Sequence, residues 1–146
     1  KNGMKLYEGG KVGKVIILEL ERGDDIFEEV DRALKQSGIK DAYIASAVGS
    51  VAQLEYHRPT NMNAATEDEM LSVQGPFEFG GITGTVVDGA PHFHFSAGGV
   101  SGNYIGHLEK GTKVLYLLEL VIVEVKGFNL KRKMTDEKVN KLFAKI

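Results

Sequence analysis

The chain has 146 residues, the length of one domain at about 100–150 residues each. Apolar residues make up 42% and charged residues 26%, a globular composition that excludes disorder as the main state. Eighteen Lys and Arg against twenty Asp and Glu give a formal charge of −2, which offers no bulk attraction to nucleic acid or anionic lipid.

Cysteine is absent, so disulfides, thiolate nucleophiles and sulfur-based zinc sites are excluded. Any transition metal must be held by His, Asp or Glu. Lys1-Asn2-Gly3-Met4 carries no apolar run of the signal-peptide kind. The richest apolar stretch, Val114 to Val125, is interrupted by Glu119 and Glu124 and falls short of the roughly 20 residues of a membrane span. The expectation is a soluble, cytoplasmic protein without a membrane partner.

In chain order, Lys14 to Leu20 is rich in β-branched residues and reads as a strand. Ile26 to Gln36 reads as a helix. Asp25 caps it with Glu28 three residues on, Phe27, Val30 and Leu34 share a face, and Gly38 stops it. Asp41 to Val48 and Val51 to Tyr56 read as strands around a Gly49-Ser50 turn, and Arg58 to Asp68 as a polar loop. Glu69 to Val73 and Phe77 to Thr83 read as short strands around Gly75-Pro76. Asp88-Gly89 between β-formers is the best local hairpin signal. Ala97 to Gly106 reads as a glycine-rich loop.

Val114 to Val125 reads as a long strand, apolar on both faces, which belongs in the middle of a sheet or under an interface. Phe128 to Lys133 reads as a final strand. Thr135 to Ile146 reads as an amphipathic helix, capped by Thr135, with Val139, Leu142, Phe143 and Ile146 on its apolar face. The expected fold is α+β: a single domain with a core over about residues 14–125, one mostly antiparallel mixed sheet, a helix after the first strand and a C-terminal helix.

Three of the four histidines fall within sixteen residues. His92 and His94 alternate with Phe93 and Phe95 on a strand, so the two imidazoles share a face with Cα atoms roughly 6.5–7 Å apart. His107 follows the glycine-rich loop, which can return it to the pair. Three neutral imidazoles suit zinc or another divalent transition metal and leave a fourth position open. The competing reading is a surface or hydrogen-bonded His-x-His pair without an ion. His57, beside Arg58 at a strand end, reads as surface.

Glu119 stands in an apolar row, Leu115, Leu117, Val121, Val123 and Val125, where a carboxylate needs a partner. It can accept from a ligating histidine, or pair with a cation across a subunit contact. Gly98-Gly99-Val100-Ser101-Gly102 lacks the ending and the setting of a phosphate loop.

The segments Gly84-Thr85-Val86-Val87-Asp88-Gly89-Ala90-Pro91-His92-Phe93-His94, Gly106-His107-Leu108-Glu109-Lys110-Gly111 and Leu118-Glu119-Leu120-Val121-Ile122 resemble the plants and prokaryotes conserved (PPC) domain family. Leu18 to Asp25 and Ala47 to Val51 fit the same pattern. The resemblance implies a homotrimer, often a stand-alone domain in prokaryotes and described as a predicted DNA-binding protein. In plants the domain accompanies a basic Arg-Gly-Arg-Pro segment, absent from this sequence, and itself supplies protein–protein contact. The fold is similar to that of acetolactate decarboxylases, in which three histidines hold zinc. That likeness implies a metal at His92, His94 and His107.

The expected function is a zinc-binding, homotrimeric module that contacts proteins or DNA. The alternative is a small metal-dependent lyase or hydrolase, with Glu119 as catalytic acid/base and Arg58 binding an anionic substrate.

Overall fold

Antiparallel pairing organises the chain. The computed structural model describes residues 3–146; Lys1 and Asn2, at the head of the segment read above for a leader, lie outside the described residues. The elements run β1 (Lys11–Glu21), α1 (Ile26–Ser37), β2 (Ala42–Pro59), β3 (Asp68–Val87), β4 (Ala90–Gly99), β5 (Gly102–Leu108), β6 (Lys113–Lys126), β7 (Leu130–Met134) and β8 (Asn140–Ala144). Strands β1 to β6 form one sheet in the order β1-β6-β2-β3-β4-β5. Strand β5 also pairs with β2, through Tyr56–Leu108 and His57–His107, so β2 to β5 close on themselves. Closure satisfies strand edges that would otherwise stand open.

The helix forms where its caps and periodicity place it. The Asp25 carboxylate accepts from the Glu28 backbone N–H at 3.2 Å, and Gly38 takes the left-handed conformation at the other end. Asp25 is buried yet satisfied, because it also accepts from the Gly111 N–H at 2.8 Å. Ile26, Val30 and Leu34 turn into the core, and Phe27 stacks on Phe93 at 5.4 Å between ring centroids. The inward residues of the closed strands complete that core: Tyr56, Phe77, Phe79, Phe93, Phe95 and Leu108.

The long sixth strand lies between β1 and β2, as its doubly apolar sequence implies. The face that meets the core is Val114, Leu118, Leu120 and Ile122. The row containing Glu119 is the outward one, and Leu117 beside it is 41% exposed. Periodicity identifies two apolar faces but not which of them meets the core.

Several local expectations give way to longer strands. Gly49-Ser50 is no turn. Strand β2 runs straight through it, and a Cβ on Gly49 would lie 2.1 Å from the Leu117 carbonyl oxygen of the neighbouring strand. Glu69 to Thr83 is continuous within β3, and the glycine-rich segment is the tight β4–β5 hairpin. Asp88-Gly89 turns as expected, with φ of 51° and 78°.

The expected C-terminal helix is not formed. Residues 130–144 make the β7–β8 hairpin instead. Thr135 closes its turn rather than capping a helix: its hydroxyl donates to the Val139 carbonyl at 2.8 Å, and Lys138 takes φ 62°. A twelve-residue helix is marginal unless its apolar face finds a partner. Here Phe143 lies beneath the Lys5 and Lys133 ammonium groups, at 4.4 and 5.3 Å from its centroid, and tertiary contact overrides the helical pattern.

Candidate metal centre

Register across three strands builds the site. His94 of β4 stands directly opposite His107 of β5, and His107 stands opposite His57 of β2. His92 lies two residues from His94 on the same face of β4. Phe93 and Phe95 occupy the buried face between them, so burial of the phenylalanines forces the imidazoles outward. Ring centroids lie 5.2 Å apart for His92 and His94, 5.0 Å for His92 and His107, and 5.4 Å for His94 and His107. One nitrogen from each of these three rings lies within 4.8 Å of the others.

Gly84 lets β4 approach closely enough for this. It sits at φ 130°, and a Cβ there would lie 1.9 Å from the His92 carbonyl oxygen. Glycine adopts that conformation without the steric cost other residues carry.

The donor set fits a divalent transition metal. Ligation needs neutral imidazole nitrogens. Burial, followed by the charges of His57, His92 and His94, pushes the His107 pKa down to about 4. Burial, followed by the charge of Arg132, also lowers that of His92. At neutral pH both rings are therefore uncharged. In a tetrahedral site with metal–nitrogen bonds near 2.0–2.1 Å, donors lie roughly 3.3 Å apart, so small ring rotations complete the arrangement.

His57 is no bystander, contrary to its reading as a surface residue. Its ring stacks on His107 at 4.1 Å, and its Nδ1 meets the Glu109 carboxylate. Glu109 is held in the β5–β6 turn: its N–H donates to the Glu55 carbonyl at 2.9 Å, and its own carbonyl accepts from the Thr112 hydroxyl at 3.1 Å. His57, His107 and Glu109 form a second group with donor atoms within 4.8 Å of one another, so His107 is common to both. Nothing in the local sequence around His57 signals this, because the signal is register between β2 and β5.

Beside the histidines opens a cavity of about 640 Å³. Arg58 lines it, with its Nε donating to Glu69 at 2.6 Å. The hairpin contributes Arg132, Met134, Lys138, Val139 and Asn140 to the wall. Glu119 is not brought there. It stands opposite Glu19 on β1 and Val48 on β2, nine residues along that strand from His57.

The model of the Plants and Prokaryotes Conserved (PCC) domain matches residues 7–126. A metal-containing protein from Archaeoglobus fulgidus is 27% identical, with a TM-score of 0.79 over 92% of this chain and 95% of that one. A plant- and prokaryote-conserved protein from Pyrococcus horikoshii has a TM-score of 0.81 at 22% identity, over 97% and 99% of the two chains, a likeness of fold. A bifunctional protein GlmU from Synechococcus is 26% identical over 120 residues, 82% of this chain. The chain spans 18% of the length of that protein. Among the described residues no helix is long and apolar enough to cross a membrane.

Proposed function

The chain belongs to the Plants and Prokaryotes Conserved (PCC) domain family, and from that membership and the meeting of its imidazoles we propose a metal-binding, homotrimeric module. His92, His94 and His107 hold one divalent transition metal, zinc being one that the all-imidazole set suits, and leave a position open to a ligand. The observation that carries this reading is the approach of three nitrogens from β4 and β5 to within 4.8 Å. The metal-containing relative supports it. Elemental analysis of protein purified without an affinity tag tests it: one ion per chain is expected, and none overturns it.

The trimer is supported by the outward face of β1, β6 and β2. Val15 and Ile17 of β1 are 59% and 75% exposed, and Val48 of β2 and Leu117 of β6 are 49% and 41% exposed. Exposed apolar surface of this kind suits an interaction site. Sedimentation of the intact chain should give three copies, and Ile17→Lys should dissociate them.

The module acts on partners through that assembly or on a small molecule at the metal. The cavity favours the second, an open three-histidine site of the kind metal-dependent lyases and hydrolases use, where a bound metal polarises a carbonyl or activates water. A DNA-binding role requires phosphate contacts whose loss with rising salt is steep. Gel-shift titration across salt concentrations decides that branch, and binding indifferent to salt counts against it.

A further inference from the structure

Part of the cavity wall is made by residues outside the span that matches the family. Residues 127–146 lie beyond it, and they supply Arg132 and Lys138. Arg132 is partly buried on β7. Its guanidinium is fixed by two donations, to the Ala90 carbonyl at 2.5 Å and to the Thr85 hydroxyl at 2.7 Å. Both acceptors are neutral. No carboxylate of the described residues lies within 4.0 Å of it. A partly buried cation without a counter-charge is costly, and a guanidinium has five N–H donors, of which two are used here.

The rest of the wall does not neutralise it. Arg58 is already paired with Glu69, Lys138 adds a second cation, and Asp68 is the one acidic residue lining the cavity among the described residues. Three neutral imidazoles leave the full charge of a bound dication in place. The hairpin itself is anchored, with Lys145 paired to Asp88 at 2.8 Å and the Thr66 N–H donating to the Glu137 carbonyl at 3.1 Å. Arg132 and Lys138 are therefore presented on a fastened element rather than a loose tail.

We propose that the β7–β8 hairpin is an oxyanion subsite: it selects small ligands that coordinate the metal at one end and present a carboxylate or phosphate to Arg132 and Lys138 at the other. The volume, about 640 Å³, is that of a small-molecule site. Arg132 supplies bidentate recognition and Lys138, in the exposed turn, a point charge. The inference rests on the three-histidine metal reading and goes beyond it by assigning ligand class and the residues that read it.

The test uses the full chain loaded with cobalt(II), whose visible absorption reports a change in its ligands. Malonate and inorganic phosphate are titrated separately, and the tighter of the two tells carboxylate from phosphate. Arg132→Gln should weaken the preferred anion at least tenfold, and Arg132→Lys should recover part of the loss. Lys138→Asn, which suits the left-handed turn and removes only charge, should weaken it about threefold and keeps the test decisive if Arg132→Gln does not fold. Cobalt affinity, measured against a chromophoric chelator, should stay within twofold. Cobalt binding with anion affinity unchanged in both variants overturns the subsite and leaves the metal reading standing. Failure of the unaltered chain to bind cobalt overturns both.

Discussion

His107 is the residue on which His57 and His94 converge: its ring stacks on His57 from β2, and its backbone stands opposite His94 of β4. The central strand of three thus carries the shared imidazole, and each flanking strand carries a partner. A change at His107 should therefore cost more than a change at His57.

Replacing His94 or His107 with Ala removes a ligand of the proposed centre. Metal affinity should fall by more than the roughly 10–100-fold typical of losing a residue that only orients a ligand. Glu109→Gln, which alters the partner of His57 and no ligand, should lower it by less than either. Competition against a chromophoric chelator measures all three.

Acid should destabilise the metal-free protein. His107 titrates at 6.5 when unfolded and at about 4 when folded. Between those values the unfolded chain binds the proton and the folded chain does not, so stability falls as pH drops from about 6.5 toward 4, then levels. Thermal midpoints followed across that window with a chelator present should show the decline, and His107→Gln should flatten it. Metal should shift the decline to lower pH, because protons and metal compete for the same nitrogens.

Tyr56 is completely buried and its hydroxyl has no hydrogen-bond partner among the described residues. Its ring packs against Phe95 at 5.3 Å, a contact phenylalanine keeps. Tyr56→Phe should stabilise the fold by about 1 kcal/mol, since an unmade buried hydrogen bond costs about 1–3 kcal/mol. Urea unfolding with an unchanged slope is the measurement.

Gly84→Ala should destabilise by at least the roughly 1–3 kcal/mol of a strained backbone position, because its Cβ meets the His92 carbonyl oxygen. Relief requires β4 to move, and His92 moves with it. Metal affinity should drop alongside stability. A variant stable as the original would show that β4 is freer than its packing implies.

Glu119→Gln should leave metal content and metal affinity unchanged. Its carboxylate faces outward beside Glu19, away from the cavity. Elemental analysis of the variant decides this, and loss of the ion would contradict the placement.

The amino-acid sequence by itself determined the helix and its caps, the Asp88-Gly89 turn, the central place of Val114 to Val125, and the pairing of His92 with His94. All of these depend on neighbours within a few residues, through periodicity, capping and the alternation of a strand. Tertiary structure alone decided which face of β6 met the core, and so moved Glu119 outside. It decided that Asn140 to Ala144, inside the expected helix, paired as strand with Leu130 to Met134, since a short amphipathic segment follows whichever surface receives it. It also brought His57, Glu109 and Arg132 to the histidines, through the β2–β5 register and the docking of the hairpin. Those contacts join residues more than twenty-five positions apart, and register between distant strands leaves no local trace for a pattern to reveal.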